Sequence, residues 1–414
     1  MLVLGMHRSA TSLTTELLSS YGLYVGEKDD LYESTQSNQR GFFESKDAVQ
    51  LNNKILYEHG MHWAEVQKSL SRVWETKYSL GINEVLNNMA AKAGDAQILL
   101  LKDPRMCITE PVWKKQMDAL GMEEHIVMVF RHPYEVAKSL VIRDNLNFVY
   151  ALKLWFYYNY SALCSIAECD TPVLVLSHDD YFTAYDEQIK KIENFLHWTG
   201  TNRNLDKIID PSLRHHNVSG VGEGVNSVLG EMVLELYQYL VGVSMMKEVV
   251  SKEKLSRFSV FLDRITNIAY LPDGNDIPPK SFRDVLGKEK KQWCAYQLEN
   301  NKEFLVSGFR QIREEKKIIE LSVYGNGTLG KALLPILSMA GIDVTAVYDK
   351  NPMAAGQKIN VLGIQDTDAM DGFILNTVVN HGEQVRNELL ERFKICRVLD
   401  LYELLYEVLH RKLC

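Results

Sequence analysis

The stretch MLVLGMHRSATSLTTELLSSYG, residues 1–22, decides the fold of the chain. An apolar run of four residues leads into Gly5, and apolar residues at helical spacing follow from 13 to 21, before Gly22, a residue type that closes helices. A strand, a short turn and a helix in this order form a phosphate-binding loop, because the N–H groups of the turn and of the first helical residues converge on one anion. The stretch therefore predicts an α/β fold whose first element is an anion site.

The turn differs from that of nucleoside triphosphatases at one position. Their loop is GxxxxGK[ST], in which the lysine reaches the β- and γ-phosphates. Here Thr11 occupies the lysine position, and the cation of the turn is Arg8, with hydroxyls at Ser9, Thr11 and Ser12. Because the main cation for a triphosphate is missing, the pattern argues against an ATPase or GTPase.

A second anion anchor is predicted in FRHPYEVAKSL, residues 130–140. Arg131 follows the apolar run 126–130, at the carboxyl end of a predicted buried strand, where α/β proteins bind ligands. Pro133 is suited to the first position of a helix. Ser139 comes eight residues after Arg131, and the two side chains could hold a second phosphate together.

These two elements resemble the cofactor-binding motifs of sulfotransferases that use 3′-phosphoadenosine 5′-phosphosulfate (PAPS). GMHRSATS, residues 5–12, is similar to their 5′-phosphosulfate loop, and the arginine–serine pair is similar to their 3′-phosphate motif. The resemblance covers residues 1–220 and implies a P-loop fold with a parallel sheet. It also implies that Arg8 is catalytic, lying beside the bridging oxygen that leaves as sulfur is transferred. The cofactor-binding residues that it implies are His7, Arg8, Ser9, Ala10, Thr11, Ser12, Arg131 and Ser139.

Ala10 departs from this family, which has glycine at the same position. If the turn needs a left-handed residue there, alanine costs about 1–2 kcal/mol. We therefore expect either that residue 10 is right-handed or that the affinity for the cofactor is reduced.

A general base must take the proton of the acceptor hydroxyl, and two clusters compete for this role. The first is QRGFFE, residues 39–44, which resembles an Arg-Gly-Phe/Tyr-Phe-Glu element that lies near the acceptor in bacterial-type sulfotransferases. Glu44 is the first choice for the catalytic base, and Arg40 is assigned to substrate binding. The alternative is that Glu44 only caps a helix or pairs with Arg40.

The second cluster is LKDPR, residues 101–105, at the end of a predicted buried strand. Three charged residues at such a position are costly unless they are used or paired. In the catalytic interpretation Lys102 binds the sulfuryl oxygens, Asp103 is the base and Arg105 binds an anionic acceptor. In the structural interpretation Asp103 and Arg105 form an ion pair.

A second glycine turn, YGNGTLG, lies between a predicted strand and a predicted helix. Gly325, Gly327 and Gly330 fit GxGxxG, and Asp349 ends the next predicted strand, as in nucleotide-binding Rossmann folds. This part resembles small Rossmann-like domains of nucleotide-sugar-handling enzymes. Only about four strands fit after residue 317, fewer than the six of the usual dinucleotide fold. We therefore rank a NAD-type dinucleotide at these four residues below a recognition or oligomerisation module.

The 414 residues are too many for one compact core, and their pattern changes twice. Short apolar runs alternate with helical patterns at first, then helical patterns dominate, and α/β alternation returns. We predict a sulfotransferase domain in residues 1–220, a helical connecting segment in 221–316 and a small Rossmann-like α/β domain in 317–414.

The composition excludes several classes of function. A net charge of −8 argues against a general nucleic-acid binder, and no apolar run approaches the roughly 20 residues of a membrane span. The six cysteines show no CxxC pattern, which predicts reduced thiols in a cytoplasmic protein. His178, His215 and His216 have no partners at metal-ligand spacing, so no metal is expected. A homo-oligomer is compatible with these features.

These patterns together predict an enzyme that moves a sulfuryl group from PAPS to a hydroxyl of a small-molecule or carbohydrate acceptor, with a glycan precursor favoured. Such a reaction needs positioning and charge stabilisation rather than a metal ion. Two alternatives stay open. One is a P-loop small-molecule kinase or other NTPase, and the other is a nucleotide-binding scaffold protein with a degenerate N-terminal site.

Overall fold

The computed structural model describes residues 1–34, 41–59, 61–66, 76–96, 98–144, 146–200, 208, 227–267, 280–350, 361–363, 372–393 and 397–410. The chain divides into two compact units, each of which has its own parallel sheet. The N-terminal unit comprises Met1–Ile55 and Trp63–Ile277, and the C-terminal unit comprises Leu56–His62 and Pro278–Cys414. The predicted α/β class is confirmed in both.

The N-terminal sheet has four parallel strands in the order β2-β1-β3-β4. These strands are β1 (Leu2–Leu4), β2 (Leu101–Lys102), β3 (Ile126–Phe130) and β4 (Val173–Ser177). In the register, Val3 pairs with Lys102 on one side and with Val127 on the other. Every residue of β1 and β3 is buried, as predicted for strands that are covered on both faces.

The order of the strands places the functional edge of this sheet. The chain passes from β1 to β2 on one side and then to β3 on the other, so the direction of winding reverses at β1. In open α/β sheets, the crevice that binds ligands lies outside the carboxyl ends of the strands at such a reversal. The residues that follow Leu4, Lys102 and Phe130 therefore meet at one edge.

Helices account for most of the remaining described residues of this part of the chain. Those up to residue 267 are α1 (Thr11–Ser19), α2 (Lys46–Glu58), α3 (Ser79–Lys92), α4 (Met106–Ala119), α5 (Pro133–Asp144), α6 (Phe148–Ile166), α7 (Asp180–Thr183), α8 (Tyr185–Phe195), α9 (Ser227–Ser244) and α10 (Lys252–Asn267). Leu17 and Leu18 of α1 pack against Val3 and Val127, which anchors the helix on the sheet. No helix in the described ranges is long and apolar enough to cross a membrane.

The C-terminal sheet has five parallel strands in the order β7-β6-β5-β8-β9. They are β5 (Glu320–Tyr324), β6 (Asp343–Asp349), β7 (Val361–Gly363), β8 (Phe373–Asn376) and β9 (Arg397–Asp400). The described helices of this unit are α11 (Lys280–Asn300), α12 (Lys302–Lys316), α13 (Thr328–Met339), α14 (Gly382–Arg392) and α15 (Leu401–His410). Winding reverses at β5, so the second glycine turn also lies at a reversal point.

The structure differs from the predicted elements in one place. The C-terminal sheet has a fifth strand, the edge strand β7, which is too short to show an apolar period of its own. The described part of the connecting segment, which was predicted to be helical, consists of the four helices α9 to α12. Asn301 separates α11 from α12, and it is the N-cap of α12. α9 and α10 belong to the N-terminal unit, whereas α11 and α12 belong to the C-terminal unit.

Candidate active site at the carboxyl edge of the N-terminal sheet

The predicted phosphate loop connects β1 directly to α1. Its turn is closed by a hydrogen bond of 3.1 Å from the Ser9 N–H to the carbonyl oxygen of Met6. Gly5 is required by close packing, since a Cβ atom there would lie 2.5 Å from the carbonyl oxygen of Val129. The loop is thus held against β3, and the N-terminus of α1 faces the edge of the sheet where a ligand would bind.

Two non-glycine residues of the loop are left-handed. Ala10 has a φ of 69° and Arg8 has a φ of 70°. Of the two outcomes expected for Ala10, the right-handed one is therefore wrong. The position requires the conformation that glycine adopts without cost, and alanine there stores about 1–2 kcal/mol of strain.

The loop and the second anchor meet through one hydrogen bond. The Nε of Arg8 donates to the Oγ of Ser139, at a distance of 2.8 Å. α5 begins at Pro133, as predicted, and it carries Ser139 to the loop. The structure therefore brings together the two motifs that the sequence assigned to two phosphates of one ligand.

Arg131 lies directly after β3 at the same edge. Its Nε donates to a carboxylate oxygen of Glu135 at 2.8 Å, and its carbonyl oxygen accepts a bond of 3.0 Å from the Trp155 indole. The Nη2 of Arg131 is buried without a hydrogen-bond partner. One side of the guanidinium is thus oriented by Glu135, while the other keeps a donor for a ligand.

Further polar atoms of the loop are buried without a partner. They are the Oγ of Ser9 and the Nε2 of His7. Buried polar atoms of this kind are uncommon in folded proteins and often mark the place of a ligand. Together with Arg131 Nη2, they give the loop the unfilled hydrogen-bonding capacity that a bound anion would use.

The electrostatics of the loop also favour an anion. Burial, together with the positive charges of Arg143 and Arg131, lowers the pKa of Arg8 to about 10. The pKa of His7 is well below its ordinary value because of burial and of the charges of Arg143, Arg105, Lys102 and Arg8. Like charges gathered in this way repel one another, and a polyanion would relieve the repulsion.

Arg143 is a further cation beside the loop that the sequence did not assign to the site. It lies on α5 four residues after Ser139, which was the available signal, and its Nε donates to the Asp144 carboxylate at 2.8 Å. Its positive charge lies close enough to the loop to lower the pKa values of both His7 and Arg8.

Lys102 and Glu44 form an ion pair beside the loop. The Nζ of Lys102 lies 2.6 Å from Glu44 Oε1, 2.9 Å from the carbonyl oxygen of Phe42 and 3.3 Å from the Oγ of Ser12. The lysine is almost fully buried, whereas the side chain of Glu44 keeps 12% of its surface exposed. Glu44 is therefore the one of these two groups that a second substrate could reach.

Asp103 is enclosed, with an exposed fraction of 0%. Its Oδ2 accepts from the amide of Asn52 at 2.8 Å, and its Oδ1 accepts from the backbone and the side chain of Arg105 at 3.0 and 2.9 Å. Burial opposes the charge of Arg105, but Asp103 and Glu44 outweigh it and raise the pKa of Arg105. The geometry is that of the structural ion pair, the second of the two interpretations of this cluster.

Several predicted residues cannot be placed. Arg40 lies outside the described residues, and so do His215 and His216. By contrast, the aromatic residues of α6 are described, and Trp155, Phe156 and Tyr158 are fully buried in the core.

The four predicted residues of the C-terminal unit also come together. The N–H of Asn326 donates to Asp349 Oδ2 at 2.7 Å, and a Cβ atom on Gly330 would lie 2.0 Å from the carbonyl oxygen of Gly325. Gly327 is the N-cap of α13. Asp349 thus holds the turn itself, which gives the motif a structural role whether or not it binds a nucleotide.

Comparisons with known proteins give one distant likeness. No model of a protein family matches the chain, and no curated protein matches it. Among solved structures, the sulfotransferase domain from the Synechococcus PCC 7002 olefin synthase aligns over 66% of this chain and 94% of its own, with 14% identity and a TM-score of 0.32. The function is inferred from the geometry of the site, not from this likeness.

Proposed function

We propose that this protein is a sulfotransferase that moves a sulfuryl group from PAPS to an acceptor hydroxyl. The observation that carries the proposal is the hydrogen bond between Arg8 and Ser139, which joins the two predicted phosphate-binding elements at one sheet edge. A site with two anchors suits a ligand that has phosphates at two positions of one nucleotide.

The residues present fit such a donor. The N–H groups of residues 9–12 and Arg8 would hold the 5′-phosphosulfate, and Arg131 with Ser139 would hold the 3′-phosphate. The unpartnered atoms Ser9 Oγ and Arg131 Nη2 lie on these two elements, one on each. When bound, PAPS supplies an activated sulfuryl group on a phosphate leaving group.

The chain supplies charge and a base for the transfer. Arg8 and Lys102 are cations at the loop and would stabilise negative charge on the oxygens around sulfur. Glu44, held by Lys102 and partly exposed, would accept the proton of the acceptor hydroxyl. Asp103 is excluded from this role in the proposal, since both of its oxygens are used inside the protein.

The class of acceptor stays a prediction. A carbohydrate or glycan precursor is the favoured class, and Arg40 and Arg105 are its predicted binding residues. Arg105 is held by Asp103, so in the proposal its main task is to orient the segment after β2.

For the C-terminal unit we retain a recognition or oligomerisation module ahead of a NAD-type dinucleotide site, because Asp349 is engaged by its own turn. The cytoplasmic location and the homo-oligomer stay predictions as well.

Ligand binding to the purified full chain tests the donor. We expect adenosine 3′,5′-bisphosphate to bind roughly tenfold or more tightly than adenosine 5′-monophosphate, because a charge-assisted contact to the 3′-phosphate contributes about 1.5–3 kcal/mol. Arg131→Ala should remove this difference. Arg257→Ala is the control, since Arg257 is exposed on α10 and pairs only with Glu235 among its described salt bridges.

The same titration separates the alternatives. A preference for ATP with Mg²⁺ over the bisphosphate would contradict the proposal and favour a P-loop kinase or NTPase. Bisphosphate binding that is unchanged in both Arg8→Ala and Arg131→Ala would favour a scaffold protein with a degenerate N-terminal site. Transfer of labelled sulfate from PAPS to a panel of sugars and phenols then identifies the acceptor class.

A further inference from the structure

A cluster of metal-ligand side chains lies at the carboxyl ends of the two neighbouring strands β3 and β4. Glu135 is in the first turn of α5, which follows β3 after a short connection. His178 and Asp179 come directly after β4. β3 and β4 run parallel and pair along their whole length, with Phe130 opposite Ser177, so their ends bring the three residues to one place.

The three side chains are close enough to share one ion. Each offers one ligand atom, and these atoms all lie within 4.8 Å of one another. Among the described residues, no other group of three or more histidine, cysteine, aspartate or glutamate side chains meets this condition. The cluster was not visible in the sequence, because Glu135 is far from His178 along the chain.

One ligand atom of the cluster is unused. Glu135 has an exposed fraction of 1%, and one carboxylate oxygen, Oε2, accepts from Arg131 at 2.8 Å. The other oxygen, Oε1, is buried and has no hydrogen-bond partner. A buried carboxylate oxygen that accepts nothing is unfavourable, and a cation beside it removes the cost.

The other two ligands have geometry that suits the same ion. His178 is 5% exposed, and its Nδ1 lies 3.3 Å from Asp179 Oδ1. The Tyr237 hydroxyl hydrogen-bonds Asp179. A carboxylate has room for a hydrogen bond and a metal ion together.

We propose that Glu135, His178 and Asp179 bind one divalent transition-metal ion, of which Zn²⁺ is the representative. One imidazole nitrogen with two carboxylate oxygens is a donor set that Zn²⁺ accepts at three protein ligands, with a fourth position open. Mg²⁺ prefers oxygen ligands alone and is expected to bind weakly. The carboxylates of Glu135 and Asp179 carry two negative charges, and the guanidinium of Arg131 balances only one of them. The cluster therefore has a net negative charge, which favours binding of a dication.

The proposal does not depend on sulfuryl transfer, and its test uses the metal alone. The full chain is freed of metal with a chelator and titrated with Zn²⁺ and, separately, with Mg²⁺ by calorimetry, with metal content measured after dialysis. We expect one Zn²⁺ per chain, a higher midpoint of thermal unfolding with Zn²⁺, and no comparable effect of Mg²⁺. Substitution of Co²⁺ should give visible absorption bands of a low-coordinate site.

The variants His178→Ala and Asp179→Asn should each lower the Zn²⁺ affinity roughly 100-fold or more, because changes in groups that only support a ligand already cost about 10–100-fold. His125→Ala is the matched control. His125 directly precedes β3, at the end of that strand away from the cluster, and it is not one of the three ligands. Its Zn²⁺ affinity should stay at the wild-type value.

Far-ultraviolet circular dichroism of each metal-free variant separates loss of a ligand from loss of the fold. If a variant unfolds, the Asp179→Asn substitution, which keeps the shape of the side chain, decides the matter. Zn²⁺ binding of equal affinity in wild type, His178→Ala and Asp179→Asn would overturn the proposal, and so would the absence of Zn²⁺ binding in the wild type.

Discussion

The Nε of Arg8 donates a hydrogen bond of 2.8 Å to the Oγ of Ser139, which lies 131 residues further along the chain. Arg8 belongs to the turn after β1, and Ser139 belongs to the helix after β3. Each was assigned to a different phosphate of the donor, so their contact means that the two anchors form one continuous surface. An anion at either anchor will therefore change the environment of the other.

This contact leads to a prediction for Ser139→Ala. The variant should bind adenosine 3′,5′-bisphosphate roughly tenfold less tightly than the wild type, because it removes a hydroxyl from the proposed 3′-phosphate anchor and the partner that orients Arg8. Isothermal titration measures the change. Ser259→Ala is the control, since its hydroxyl bonds only a carbonyl of its own helix among the described hydrogen bonds. Equal affinities of wild type and Ser139→Ala would show that the contact plays no part in binding.

Strain at Ala10 predicts that a substitution can make the protein more stable. Ala10→Gly should raise the free energy of unfolding by about 0.5–1 kcal/mol, because relief of about 1–2 kcal/mol of left-handed strain exceeds the entropy that glycine loses on folding. Ala90→Gly, at an exposed position inside α3, should instead lower it by about 1 kcal/mol. Chemical denaturation measures both. A decrease for Ala10→Gly would mean that the strain is compensated elsewhere.

A pair of isosteric variants distinguishes the two candidate bases, Glu44 and Asp103. Glu44→Gln should lower kcat by about 100-fold or more and leave bisphosphate affinity within roughly twofold, as expected for loss of a general base. Asp103→Asn should act on stability, with a loss of about 3 kcal/mol, because it breaks a buried ion pair and leaves Arg105 without its counter-charge.

Steady-state kinetics of sulfate transfer and thermal unfolding of both variants provide the measurement. The assignment fails if Asp103→Asn folds as well as the wild type and has the larger loss of kcat.

Away from the site, Glu124 predicts a pH dependence of stability. Burial and the neighbouring Glu110 raise the pKa of Glu124 to about 8, whereas in the unfolded chain it is near 4.3. Between these values the folded protein holds a proton that the unfolded chain has lost. The stabilisation from Glu124 is therefore complete below about pH 4 and is lost as pH rises towards 8.

Glu124→Gln keeps a side-chain acceptor for the Thr171 hydroxyl but has no such pH dependence. We expect its unfolding midpoint to rise relative to the wild type between about pH 5 and 8, with no further change above that. Glu123→Gln, at the adjacent exposed position, is the control. If the unfolding midpoints of Glu124→Gln and wild type change in parallel with pH, the raised pKa of Glu124 is contradicted.

Local patterns in the sequence predicted the parts of this protein that depend on local interactions. The apolar run before Gly5 gave β1, Pro133 gave the start of α5, and the three glycines of the second turn gave a strand, a turn and a helix. The order of these elements also placed the turn and Arg131 at one sheet edge, because carboxyl ends of parallel strands coincide. The short edge strand β7 escaped prediction, since three residues show no period.

What the sequence determined by itself was thus the class of fold and the positions of Arg8, Arg131 and Ser139. The tertiary structure alone decided which charges meet. It paired Asp103 with Asn52 and Arg105, left Glu44 partly exposed beside Lys102, placed the charge of Arg143 near the loop and set Glu135 next to His178. The physical reason is the range of the interactions. Helix and strand patterns arise between residues that are near in sequence. The charge state, the burial and the hydrogen-bond partners of a side chain depend on neighbours that only folding supplies.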